Sequence, residues 1–248
     1  MKLVKQLRAI EALVMMNGFK PIVRSPLWLI VQLSFPLTLV FFISLYASGE
    51  AVSEALVGAL ISMIVMSGLA LQGDVVWLRV ELKFQDMVVA SSVSPVSYML
   101  GLALSELAYS SPAIVFLIVL ITLRGLIRLE SIPMLFFSLF LCWVLAVSLG
   151  FYLSIRITDM RHVWALNSLL SVLISMLPPV YYPIWILPEW LQKIAYAIPT
   201  THVALLVKEA VEITKLTTVE RTFNILTLLA WTTVLLTIVV RKSTWREK

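Results

Sequence analysis

Long stretches without a single charged residue dominate this sequence. They run over 25–49, 55–73, 131–155, 163–188 and 222–240. Each stretch is close to or longer than the about 20 residues with which an α-helix crosses the hydrocarbon core of a bilayer. A further apolar run, between Val96 and Leu123, contains Glu106 as its one charged residue. Six runs of this length predict an integral membrane protein with six transmembrane helices.

The composition supports the same fold class. Hydrophobic residues make up 60% of the chain and charged residues 13%, and the mean hydropathy is +0.98. These values lie far from those of soluble globular domains. We therefore predict an all-α membrane protein that forms a single transmembrane domain over residues 1–248. The predicted spans are 27–47, 55–73, 98–123, 133–154, 163–184 and 222–240.

The basic residues indicate the orientation in the membrane. Six spans place both termini on one side, and the segments on that side carry thirteen of the 19 Lys and Arg residues, against six on the opposite side. The positive-inside rule therefore predicts cytoplasmic termini, although the long 183–222 connection obeys this rule less strictly. We expect a multi-pass protein of the plasma membrane. This distribution explains the net charge of +5 better than a nucleic-acid-binding patch would.

The amino-terminal segment 1–17 has the pattern of an amphipathic helix. Its apolar stripe consists of Leu3, Leu7, Ile10 and Val14, and its polar side of Lys2, Lys5, Gln6 and Arg8. A helix with this pattern lies in the membrane interface. Gly18, Pro21 and Pro26 then let the chain turn into the first span. A frayed basic tail is the alternative interpretation.

The connection that follows the second predicted span, residues 74–101, has mixed polarity. We predict a short helix over 80–92 that lies across the cytoplasmic ends of the spans, followed by a turn at Ser94 and Pro95. Polar side chains beside an apolar knob of Phe84, Met87 and Val88 have the chemistry of a partner-docking surface. A solvated linker is the alternative. The candidate docking residues are Glu81, Lys83, Phe84, Gln85, Asp86 and Met87.

Five of the eleven prolines lie within residues 178–199. Because proline cannot continue the helical hydrogen-bond ladder, we expect the fifth span to end there and two short helices to follow over 188–213. Thr200 or Thr201 would cap the second of these, and Lys208 would turn away from its apolar stripe. Such broken backbone at membrane depth must pack within protein or border a wet cavity.

Glu106 is expected about eight residues into the third span, where a charged side chain costs roughly 3 kcal/mol. It needs a partner, a proton or water, and a pathway role and a structural hydrogen bond both remain open.

No Cys or carboxylate cluster has metal-ligand spacing, and no Ser/His/Asp set converges on one face. The sequence also lacks a GxxxxGK[ST] phosphate loop. We therefore predict no catalytic or metal site, no cofactor in this chain and no enzymatic activity.

The chain resembles a known family, the type-2 ABC transporter permeases. The resemblance lies in the amino-terminal elbow helix and in the motifs Ser94-Pro95-Val96-Ser97 with Gly101, Tyr182-Pro183-Ile184, Leu187-Pro188-Glu189-Trp190-Leu191 and Ile198-Pro199-Thr200-Thr201-His202. The chain departs from the family at Gln85-Asp86-Met87-Val88, where many relatives have a sequence like Gly-Thr-Leu-Glu.

The resemblance implies the membrane subunit of an ABC exporter, in which the path lies between two copies and is lined by spans one, two and five. A separate nucleotide-binding subunit would bind ATP and Mg and dock on the 74–97 connection.

The broken segment between spans five and six would form a re-entrant outer gate, with candidate residues Tyr181, Tyr182, Pro183, Pro188, Trp190 and Pro199. For each aromatic side chain alone, a place in the interfacial aromatic belt remains open. A secondary carrier or channel is the alternative function, and the substrate and the choice of homodimer or heterodimer stay open.

Overall fold

The uncharged stretches form long helices in a computed structural model that describes residues 2–47, 49–157 and 159–242, without the side chains of Lys2 and Lys242. The described residues contain helices and no strand. The first half comprises α1 (Lys2–Leu13), a π-helix (Val14–Phe19), α2 (Lys20–Arg24), α3 (Leu27–Tyr46), α4 (Glu50–Val76), a second π-helix (Trp77–Glu81), α5 (Phe84–Ala90) and α6 (Pro95–Leu123). The second half comprises α7 (Ile132–Arg156), α8 (Met160–Met176), α9 (Glu189–Ala195), α10 (Pro199–Ala210) and α11 (Thr218–Lys242), with short 3-10 turns at Leu129–Ser131 and Ile184–Ile186.

Five helical segments of the described chain are long and apolar enough to cross a membrane. They are Leu27–Tyr46, Glu50–Glu81, Pro95–Leu123, Leu129–Arg156 and Thr218–Arg241. The predicted all-α membrane fold is therefore confirmed. The predicted fifth span, 163–184, differs from the structure, because α8 is a helix of 17 residues that ends at Met176. Pro178 and Pro179 follow directly and cannot donate to a helical ladder.

Two other predicted spans lie within helices that are longer than the predicted span. The helical run that contains the predicted span 55–73 begins at Glu50 and continues to Glu81, and α11 begins at Thr218 rather than at residue 222. A charged residue near the end of a helix ends the uncharged stretch of sequence, but it does not end the helix. The helix can continue beyond the hydrocarbon core into water. The sequence windows therefore mark the apolar centre of each helix rather than its ends.

Helix α4 lies at the centre of the bundle and packs against α3, α6, α7 and α8. In its most apolar stretch 89% of the residues are buried, against 6% in α3. Its contact with α7 is very close, because a Cβ atom added to Gly150 would lie 2.7 Å from the carbonyl oxygen of Gly68. Small residues at such crossings let two membrane helices approach and gain dispersion energy.

The amino-terminal helix is longer than predicted. Instead of ending near residue 17, the helical backbone passes through Gly18 and Pro21 and ends at Arg24. Gly18 is buried because it packs on Ser105 of α6, where a Cβ would lie 3.0 Å from a carbonyl oxygen. The predicted apolar stripe is exposed at Leu3 and Leu7, as a helix needs if it contacts lipid.

Candidate functional site

The predicted docking residues fall in three different local structures. Glu81 ends the long helical run that begins with α4, and Lys83 adopts a left-handed conformation with φ 48°. Helix α5 then begins at Phe84 and ends at Ala90. The predicted helix over 80–92 is therefore shorter, because the left-handed residue separates α5 from the π-helix before it.

Only part of this segment presents side chains to solvent. Glu81, Lys83, Asp86 and Met87 are exposed, with Met87 61% exposed. Phe84, predicted as an apolar knob, instead packs inward, and its ring centroid lies 6.5 Å from that of Tyr98 on α6. Gln85 is half-buried. The surface open to a partner thus combines charged side chains of both signs with an apolar one, and we call the residues Glu81, Lys83, Asp86 and Met87 the α5 surface.

The end of this connection is tied to the amino-terminal helix. The Gln6 side chain donates a hydrogen bond to the carbonyl oxygen of Ser92 at 2.8 Å and accepts one from the amide nitrogen of Ser94 at 2.8 Å. The Ser94 hydroxyl oxygen in turn accepts from the amide of Ser97 at 3.1 Å and caps α6, as the Ser-Pro pattern favours. Gln6 therefore does not lie on a free polar face, as the sequence predicted, but fixes the α5–α6 turn.

The proline-rich segment 177–213 forms a compact unit, which we call the outer cap after its predicted place in the membrane. Tyr181 is buried and Tyr182 is half-buried, and the Tyr182 hydroxyl donates to the carbonyl oxygen of Leu177 at 2.9 Å. Pro183 precedes the turn at Ile184–Ile186, Pro188 lies directly before α9, and Pro199 is the first residue of α10. Trp190 is 64% exposed, so these six candidate gate residues do not share one environment.

Lys208 anchors this cap to the centre of the bundle. Its ammonium group donates to Glu54 Oε2 at 3.2 Å, to the carbonyl oxygen of Pro179 at 3.0 Å and to that of Tyr182 at 2.8 Å. The lysine and glutamate side chains are only 3% and 5% exposed. The sequence-based expectation that Lys208 turns away from the apolar stripe is therefore wrong. The helix ends near Pro179, so backbone carbonyl groups there have no partner within a helix. A buried donor such as the Lys208 ammonium group is favourable because it satisfies them.

A second buried contact joins α10 to α11. His202 is fully buried, and its Nδ1 atom lies 2.6 Å from Oδ1 of Asn224. Thr200 or Thr201 was predicted to cap α10, but no side chain caps this helix. Their hydroxyl groups donate instead to the carbonyl oxygens of Ile174 and Ala195. The polar side chains of α10 therefore bind α8, α9 and α11 rather than cap the start of α10.

Glu106 is buried within α6, and its partner comes from the neighbouring helix α4. Its side chain is within hydrogen-bond reach of Asp74, which the sequence analysis placed at the start of the connection rather than inside a helix. Sequence reasoning missed Asp74 because it ends the uncharged stretch of the second span. The spacing of Asp74 and Glu106 along the chain gives no signal of their contact, which only the packing of α4 on α6 produces.

Comparison with protein families decides which class this architecture belongs to. A family model described as ABC-2 type transporter matches residues 12–208. The chain belongs to the ABC-2 type transporter family. The match covers both the α5 surface and nearly all of the outer cap of this ABC-2 chain, and it confirms the resemblance stated from the motifs. A search of curated proteins found no match.

Membership in the family carries three consequences for this ABC-2 chain. It is a multi-pass membrane protein and a transporter membrane domain. Domains of this family typically have no ATPase activity of their own. Membership also implies association with an ABC ATPase subunit.

Proposed function

We propose that this chain is the permease subunit of an ATP-driven exporter, coupled to a separate nucleotide-binding subunit at the α5 surface. The observation that supports this most is the continuity of the central helix. The run Glu50–Glu81 has 32 residues, or about 48 Å at the rise of an α-helix. One end meets the α5 surface and the other meets the outer cap.

The contacts at the two ends of this run suggest how motion would pass along it. At one end, Lys83 joins the run to α5 through a single left-handed residue. At the other, Glu54 binds Lys208, and a Cβ added to Gly58 would lie 2.8 Å from the carbonyl oxygen of Val180. A displacement of α5 by the ATPase would therefore move a rigid helix that touches the cap directly.

We further propose that two copies enclose the path, in a homodimer or a heterodimer. Helix α3 packs on α4 with one side and exposes large apolar residues such as Leu27, Ile30 and Phe41 on another, which a second copy or lipid would cover. Spans one, two and five would line the path, with α8 as the short fifth span that completes a six-span topology. The outer cap would act as the re-entrant gate.

The positions of the basic residues support cytoplasmic termini in the plasma membrane, with ATP and Mg bound by the partner subunit. Arg79 lies on the same side as the α5 surface and donates to the carbonyl oxygens of Ser154 and Ile157 at 2.8 and 2.9 Å. It thereby neutralises the carboxyl end of α7. The α5 surface would then face the compartment that contains ATP.

The test is affinity purification of the tagged chain from its native membrane, with mass spectrometry of the retained proteins. We expect a Walker-motif ATPase, and we expect its recovery to fall at least fivefold in the variant Asp86→Lys/Met87→Ala. The variant Glu11→Lys/Met16→Ala makes a matched charge reversal and methionine truncation at exposed residues outside the α5 surface and should retain the ATPase.

Two results would contradict the proposal. Recovery of the chain without any ATPase from several mild detergents would favour an ATP-independent carrier or channel. Equal loss of the ATPase in both variants would remove the α5 surface from the docking interface.

A further inference from the structure

A cavity of about 460 Å³ opens between the amino-terminal helices, α3, α4, α6 and α8. It lies in the half of the bundle that is nearer the termini, since Asn17 and Trp77 border it while the outer cap contributes no lining residue. This volume falls within the range of about 300–1,000 Å³ that is usual for small-molecule sites.

The cavity contains an acidic pair and no basic residue. Asp74 and Glu106 line it, their side chains are within hydrogen-bond reach of each other, and Glu106 is 6% exposed. Two adjacent carboxylates repel each other, so a positive charge placed beside both is favourable. Among the described residues no Lys or Arg borders the cavity to supply that charge.

Aromatic side chains form much of the remaining wall. Trp28, Trp77, Tyr109 and Trp164 come from four different helical segments and all face this cavity. The three indole rings are each about half exposed in the isolated chain. Aromatic faces attract cations through the ring quadrupole and also contact apolar groups, so they favour a ligand that is both cationic and apolar.

Buried polar atoms without a partner complete the wall. The side-chain atoms Asn17 Nδ2, Gln32 Oε1 and Asn167 Oδ1 are buried and have no hydrogen-bond partner among the described residues, and all three residues line the cavity. Buried polar groups in proteins are nearly always hydrogen-bonded. Two of the three are acceptors, as a ligand that carries N–H donors or a diffuse positive charge requires.

We propose that this cavity binds an amphipathic organic cation. The acidic pair attracts the positive charge, the aromatic wall matches an apolar body, and the volume exceeds what an inorganic ion fills. Among the described residues no third His, Cys, Asp or Glu joins the pair, so the donor set is poor for a divalent metal. That such a cation is cargo for export rests on the function proposed above.

Equilibrium binding of radiolabelled tetraphenylphosphonium to the purified chain in a non-ionic detergent tests the site. Tetraphenylborate, which has nearly the same size and shape and the opposite charge, is the matched probe. We expect the phosphonium to bind at least tenfold more tightly than the borate. We expect the double variant Asp74→Asn/Glu106→Gln to weaken phosphonium binding at least tenfold, because it removes the negative charge while keeping both side-chain shapes.

The control variant Glu11→Gln/Glu50→Gln neutralises two exposed acidic residues and should bind within twofold of the unchanged chain. Ala70→Phe would fill the cavity from α4 with both acids intact, and it should also weaken binding at least fivefold. If the double variant does not fold, Ala70→Phe alone tests whether the phosphonium binds in this cavity.

Equal binding of the phosphonium and the borate, or undiminished phosphonium binding by a folded double variant or by Ala70→Phe, would overturn the proposal. The binding assay needs no ATPase, so its result is independent of the proposed exporter function. ATP-dependent uptake of the phosphonium into inverted membrane vesicles tests the cargo role. Binding without such uptake would overturn that role and leave the site established.

Discussion

Lys208 on α10 and Glu54 on α4 form an ion pair with an N–O distance of 3.2 Å, and neither side chain is more than 5% exposed. The lysine also binds the carbonyl oxygens of Pro179 and Tyr182. One buried cation thus joins the central helix, the proline-rich turn and the second helix of the outer cap. The cap is fixed to α4 at its polar centre, which explains how so many helix breaks are accommodated.

Removal of one partner of this ion pair should destabilise the protein strongly. Lys208→Met leaves the Glu54 carboxylate and two carbonyl oxygens buried without a donor, and we expect a loss of about 3–5 kcal/mol. Unfolding of the purified chain in mixed micelles measures the change. Lys193→Met, which removes an exposed lysine of α9, is the control and should change the stability by less than about 0.5 kcal/mol. Equal stability of the two variants would show that the ion pair does not hold the cap.

Close packing of α4 on α7 should make Gly150 intolerant of a side chain. A Cβ at this position would lie 2.7 Å from the Gly68 carbonyl oxygen. We expect Gly150→Ala to cost a net of about 1–2 kcal/mol, since overpacking outweighs the gain in helix propensity. Gly73→Ala is the matched control, because its Cβ would meet no atom closer than 3.8 Å. A thermal unfolding curve that is unchanged for Gly150→Ala would contradict the close contact.

The link from Gln6 to the α5–α6 turn should be visible in amide exchange. Gln6→Leu removes the two hydrogen bonds that reach Ser92 and Ser94, each worth about 1 kcal/mol. We expect peptides that cover 91–97 to exchange at least fivefold faster, as measured by hydrogen–deuterium exchange mass spectrometry. Lys5→Leu alters the adjacent exposed residue and should leave these peptides unchanged. Equal exchange in both variants would mean that α1 does not fix the turn.

The contact between His202 and Asn224 should couple α10 energetically to α11. In a double-mutant cycle with His202→Phe and Asn224→Leu we expect an interaction energy of about 1–2 kcal/mol. Pairing His202→Phe with Thr232→Val gives the control, because Thr232 binds the carbonyl of Leu228 on its own helix. That control cycle should be additive within about 0.5 kcal/mol. Additivity in the first cycle as well would exclude a direct contribution from the 2.6 Å contact.

Some features of this protein followed from the sequence alone. The uncharged stretches predicted an all-helical membrane protein, because length and apolarity are sufficient to place a helix in a bilayer. The Ser-Pro turn at Ser94 and the proline series of the outer cap carried the family resemblance, which the match over residues 12–208 confirmed. The break after the fifth predicted span was also readable, since proline acts through its own backbone.

Other features depended on which helices pack together. The sequence placed Lys208 on a polar face, Phe84 on an exposed knob and Asp74 in a connection, and the structure buries Lys208, packs Phe84 on Tyr98 and brings Asp74 to Glu106. These contacts join residues that are distant along the chain, so they cannot be predicted from the local pattern of apolar and polar residues. A charged residue becomes a buried anchor only when tertiary packing supplies its partners. The sequence by itself determined that the chain lies in a bilayer and where its helices form. The packing of α4, α6 and α10 decided which polar side chains are buried and which of them contact each other.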